Sequence, residues 1–108
     1  MLTEKDYCDV ESTKALESLG MNVYTSFCGV DVLKHVLLYE AQKWLREEKR
    51  IIVDVFIDDD SDTPITYNIY KDGKCVCHHH GKYWPIKEWR EALSESIKGA
   101  IKLLKEEK

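Results

Sequence analysis

The hydrophobic period of this chain changes twice, and that alternation constrains the fold more than any other feature. Leu33, Leu37, Leu38, Ala41, Trp44 and Leu45 recur three and four residues apart, the apolar stripe of an amphipathic helix. The start of that helix is left open between an Asp31 cap and Leu38, and Arg46 to Arg50 form its solvated end. The period then drops to two. Ile51, Val53, Val55 and Ile57 alternate with Ile52, Asp54, Phe56 and Asp58, which is a strand with one apolar and one mixed face. Ile65, Tyr67 and Ile69 make a second strand after a polar turn. The Asp72-Gly73 pair then favours a tight hairpin into Cys75, Val76 and Cys77. Three strands joined by short turns predict an antiparallel meander. Helical period returns with Ile86, Trp89, Leu93, Ile97, Ala100, Ile101 and Leu104, and Pro85 suits the first turn.

Upstream, Asp9 caps a short helix over residues 10–19 whose apolar positions are Val10, Thr13, Leu16 and Leu19, and Gly20 follows at the left-handed end position. Val23, Thr25 and Phe27 give a weak strand signal that Gly29 ends. The predicted class is α+β: helix, short strand, helix, three-stranded antiparallel meander and long C-terminal helix. Helices two and three cover one sheet face, because three strands cannot bury an apolar face alone. With 108 residues, the chain reads as a single domain spanning 1–108.

Composition narrows the function classes. The 16 Lys+Arg against 20 Asp+Glu leave a net charge of −4, which argues against a protein that lives mainly by neutralising phosphates. That charge is uneven. Asp58 to Asp62 and the N-terminal region are acidic, whereas residues 71–90 lean basic. No apolar run approaches the ~20 residues that span a bilayer, and the polar start Met1 to Asp6 does not read as a signal peptide. A cytoplasmic chain is therefore expected. The four cysteines Cys8, Cys28, Cys75 and Cys77 then read as free thiols.

Three segments resemble a known family. They are Asp9-Val10-Glu11-Ser12-Thr13-Lys14-Ala15-Leu16-Glu17-Ser18-Leu19-Gly20, Leu38-Tyr39-Glu40-Ala41-Gln42-Lys43-Trp44-Leu45-Arg46-Glu47 and Trp89-Arg90-Glu91-Ala92-Leu93-Ser94-Glu95-Ser96-Ile97. Their order and spacing are similar to those of small hypothetical proteins from Bacteroides-type gut bacteria and their phages and mobile elements. The resemblance implies origin and compartment and brings no catalytic residue. Two departures stand out. The family shows a Ser or Thr cap before the Leu-Tyr-Glu-Ala segment, where this chain has Leu37. The stretch from Cys75 to His80 lies outside the family pattern.

The richest local chemistry is that stretch, Cys75-Val76-Cys77-His78-His79-His80, because thiolate and imidazole are the usual zinc ligands. On a regular strand Cys75, Cys77 and His79 would share one face. The spacing is nevertheless Cys-x-Cys, no second ligand pair follows, and the ordinary reading is two strand cysteines and a polar loop. The acidic run Asp58, Asp59, Asp60 and Asp62 fails as a calcium loop. Thr63 stands where that loop needs Gly, and Ile69 where it needs Glu. Cys28 has no local partner that would make it a nucleophile, and no catalytic or phosphate-binding motif occurs. No enzyme activity and no cofactor are expected.

Two binding classes remain. Tyr67, Tyr70, Tyr83, Trp84 and Trp89 cluster in the C-terminal half. Trp89 and Trp44 fall on helical stripes and belong to the core, whereas Tyr70, Tyr83 and Trp84 are candidates for surface anchors. A non-enzymatic accessory or regulatory module that binds another protein, a second copy included, is the first expectation. The second rests on the order of helix, three strands and helix, which is that of double-stranded-RNA-binding domains. Such domains grip phosphates near the start of the last helix. His79, His80, Lys82, Lys87 and Arg90 fall there with Tyr83 and Trp84, although Glu88 and Glu91 dilute the charge.

Overall fold

A computed structural model describes residues 6–28, 31–58, 62–78 and 82–106. Helix α1 spans Val10–Ser18. Asp9 Oδ1 accepts the Ser12 N–H at 2.7 Å, and the Thr13 hydroxyl donates to the Asp9 carbonyl at 2.9 Å. The helix ends as its sequence suggests. Gly20, at φ +108°, donates to the Glu17 carbonyl, and the Met21 N–H donates to the Leu16 carbonyl. This pair of bonds closes the last turn around a left-handed glycine and brings buried Met21 onto buried Leu16. Val10, expected on the apolar stripe, is 67% exposed, because it stands in the first turn facing away from α3 and β2.

The largest departure follows α1. Strands β1 (Tyr24–Cys28) and β2 (Asp31–His35) form an antiparallel hairpin from Tyr24↔His35 to Cys28↔Asp31. Of the two starts left open for helix two, the later holds: α2 spans Leu38–Glu48. Leu33 and Leu37 happen to continue the helical spacing, yet residues 31–35 give β1 the backbone partner that a lone strand lacks. The capping position is Leu37, which has no acceptor of its own. Glu40 Oε1 accepts the Leu37 N–H at 3.2 Å, so one orphan donor is satisfied from within the helix.

The second sheet is the expected meander, in order β3 (Ile51–Ile57), β4 (Ile65–Lys71), β5 (Lys74–His78). Asp72 and Gly73, at φ +51° and +83°, turn β4 into β5 with the twist that two-residue hairpins require. A 3₁₀ turn, Ile86–Glu88, leads into α3, Trp89–Glu106. Ile86 is 61% exposed, so the apolar stripe begins at Trp89.

Helices α2 and α3 pack on one face of β3–β5. That face presents Ile51, Val53, Tyr67 and Ile69, all buried against Leu38, Ala41, Leu45, Leu93, Ile97, Ala100 and Ile101. Gly99 lets α3 approach closely, since a Cβ there would stand 2.9 Å from Ile69 Cδ1. Helix α1 lies against α3 and β2. No described helix is long and apolar enough to cross a membrane.

Candidate functional site

Alternation in β3 and β4 dictates what the helices leave uncovered. Ile52 pairs with Tyr70, Asp54 with Asn68 and Phe56 with Thr66 on the face turned away from α2 and α3. Ile52 is 45% exposed, Asp54 is exposed, and Phe56, Asn68 and Tyr70 are half-buried. Asn68 Nδ2 donates to the Tyr70 hydroxyl at 3.3 Å.

The segment after β5 closes one end of this face. Trp84 and Ile65 exchange backbone hydrogen bonds of 2.8 and 3.0 Å, and the Thr66 hydroxyl donates to the Lys82 carbonyl at 3.1 Å. Side chains at 83 and 84 then diverge. The Trp84 ring turns onto the covered face, 6.0 Å from the Tyr67 ring. Tyr83 reaches across to β3, where its hydroxyl donates to Asp58 Oδ2 at 3.1 Å. Trp84 is therefore a lid on the core, while Tyr83 is exposed and Tyr70 half-buried. Burial, with Cys77 and Glu95 nearby, pushes the Tyr67 phenol up to about 12.

A groove of about 610 Å³ runs between this segment and α3, lined by Lys82, Tyr83, Trp84, Glu91, Glu95 and Lys98. It carries both signs of charge, and one cation is already engaged. Lys98 Nζ lies 3.0 Å from Asp9 Oδ2 and 3.6 Å from Glu95 Oε1. Its bond to Asp9 holds the ammonium above its ordinary value, although partial burial opposes this. Partial burial also resists ionisation of Asp9, but the Ser12 N–H and Lys98 outweigh it and hold that carboxyl below its ordinary value.

Of the basic residues expected to act together, Arg90 is engaged by a carboxylate. Lys82 and Lys87 are exposed, the first beside the groove and the second on the 3₁₀ turn. Arg90 instead points to the N-terminal segment, with Nη1 at 2.9 Å from Asp6 Oδ1. His80 lies outside the described residues, as do His79, Asp59 and Asp60.

The pair Cys75 and Cys77 does not share a face. Tyr70 aligns with Cys75 and Ile69 with Cys77, so Val76 is an extra residue in a bulge. The bulge breaks the alternation. Cys75 follows Tyr70 to the uncovered face and is exposed, while Cys77 follows Ile69 to the covered face and packs on the core. Among the described residues no cluster of His, Cys, Asp and Glu is placed to hold a metal ion. Cys8 is buried, and burial, with Asp9 and Glu40 nearby, pushes its thiol up to about 12.

Sequence reading missed Ile52, Asp58 and Gln42. Ile52 belonged to the mixed face of a strand, and only the placement of the helices shows that face to be open. No family model, curated protein or solved structure matches the chain.

Proposed function

We propose that this chain is a small protein-binding module, an accessory or regulatory component of the phage or mobile-element type that the sequence resemblance implies. The observation that carries the reading is the uncovered face of β3–β5, where Ile52 at 45% exposure stands beside Tyr70, with Tyr83 at 39% closing the end. Aromatic and aliphatic side chains grouped on a firm sheet are what a protein partner buries at the centre of an interface. The core cluster lies on the covered face, and this second group stands outside it.

A pull-down from host lysate with wild type and with an Ile52→Glu/Tyr70→Ala chain tests it. The reading expects proteins retained by wild type and released by the variant, with circular dichroism unchanged. The same proteins retained by both chains would refute it.

A second reading, a nucleic-acid-binding module, is favoured by the order α2, β3, β4, β5, α3 and by the exposure of Lys82 and Lys87. It expects salt-dependent binding to random duplex RNA that a Lys82→Glu/Lys87→Glu chain loses. Binding that ignores both substitutions would discard it.

A further inference from the structure

Among the described residues strand β3 is an edge strand, and its outer edge is open where the two long helices begin. The backbone bonds from Asp58 to Pro64 and from Asp72 to Arg50 show that even-numbered positions of this region face β4. Odd-numbered residues of β3 therefore aim N–H and C=O outward. At Val53 the outward carbonyl accepts Gln42 Nε2 at 3.0 Å, so α2 closes the edge there. Beyond it, Val55 and Ile57 have no backbone or side-chain partner on that edge among the described residues.

Beside these two residues lies a cavity of about 330 Å³, whose walls include Tyr39, Gln42, Val55, Ile57, Trp89 and Leu93. Tyr39 is 54% and Ile57 66% exposed, and the Tyr39 and Trp89 rings stand 5.6 Å apart. Exposed Asp54 also borders the recess, its position alternating to the other side of the edge, and Asp58 follows the strand with one carboxylate oxygen on the Tyr83 hydroxyl. An open edge with an apolar recess on one side and carboxylates on the other sets the pattern of a strand that could join it. Its side chains must alternate between apolar, into the recess, and basic, toward Asp54.

We propose that the outer edge of β3 at Val55 and Ile57 is a docking site for an extended segment of a partner protein that alternates apolar and basic residues. Charge decides against a second copy of this chain. Its own β3 would bring Asp54 and Asp58 against their equals, and its basic residues lie elsewhere in the sequence. The site shares Asp54 with the uncovered face but uses neither Ile52 nor Tyr70, so substitutions at Val55 and at Tyr70 let either fail without the other.

The test is an amide-detected NMR titration of the whole chain with the capped peptide Lys-Val-Lys-Val-Lys-Val-Lys and its Glu-for-Lys counterpart. The basic peptide should shift and protect the Val55 and Ile57 amides while leaving Tyr70 unmoved. Val55→Pro removes an outward N–H on an edge, where proline is tolerated, and should abolish binding with circular dichroism retained. Asp54→Lys should weaken binding about tenfold and keeps the test sharp should the proline chain misfold. Equal binding of the acidic peptide, no binding of either, or an edge protected by dimerisation without peptide would each overturn the proposal.

Discussion

Arg90 Nη1 lies 2.9 Å from Asp6 Oδ1, joining residues 84 positions apart in the sequence. The side chains are 28% and 13% exposed, so the pair is more sheltered than a surface ion pair. It fastens the segment before α1 to the first turn of α3. Asp6→Asn is expected to lower stability by about 1–2 kcal/mol in urea unfolding, between the ranges for solvated and charged hydrogen-bonded pairs. An unchanged midpoint would show that the pair fastens nothing.

The Asp9–Lys98 pair sets a pH dependence with a definite sign. The Asp9 carboxyl is held below its ordinary 3.8, so its contribution is present above that value and is lost as pH falls through the lowered one. The Lys98 ammonium is held above its ordinary 10.5, so its contribution is complete below 10.5 and is lost as pH rises through the raised value. Asp9→Asn keeps an oxygen for the Ser12 N–H and removes the charge. Stability profiles of the two chains should therefore converge at the acid end, below 3.8, and differ on the plateau. Parallel profiles at all pH values would contradict this.

Gly99 sits inside α3, where glycine ordinarily costs about 1 kcal/mol relative to alanine. Here a Cβ would meet the far end of the Ile69 side chain at 2.9 Å. Gly99→Ala is expected near neutrality, because helix propensity offsets a small repacking of Ile69. Gly99→Leu is expected to destabilise by about 2 kcal/mol or more, since it drives α3 from the sheet. Urea unfolding of both chains checks the pair, and a neutral leucine would mean that α3 does not approach β4 closely.

Thiol reactivity should divide the cysteines. Cys75 is exposed on the uncovered face, whereas Cys8 is buried with its thiol pushed up to about 12. Mass mapping after brief treatment with iodoacetamide at neutral pH should find Cys75 modified and Cys8 intact, with Cys8 reacting only on unfolding. Equal labelling of the native chain would contradict the buried N-terminal segment.

The class, the meander, α1 and α3 were legible because each rests on a local period several turns or residues long. Asp9 and Gly20 marked the ends of α1 through capping chemistry that needs no distant partner. The hairpin of β1 and β2 was half hidden, because β2 is stabilised by pairing with β1 and its Leu33 coincides with the helical spacing of Leu37. The bulge at Val76 was invisible, since alternation is assumed in any strand reading and one extra residue reverses every later side chain. Of the three aromatics expected at the surface, Tyr83 is exposed, whereas Tyr70 and Trp84 are half-buried. The Arg90–Asp6 pair was not legible, because Asp6 belongs to a segment with no pattern of its own.

Site-specific photo-crosslinking tests the central claim, that this chain binds a protein through the sheet face its helices leave open. A benzophenone amino acid would replace Ile52 in one chain and Lys43, exposed on α2, in another, and both would be irradiated in host lysate. The account expects a discrete protein adduct from position 52 that position 43 does not give. Identical adducts from both positions, or a nucleic-acid adduct from position 52, would contradict it.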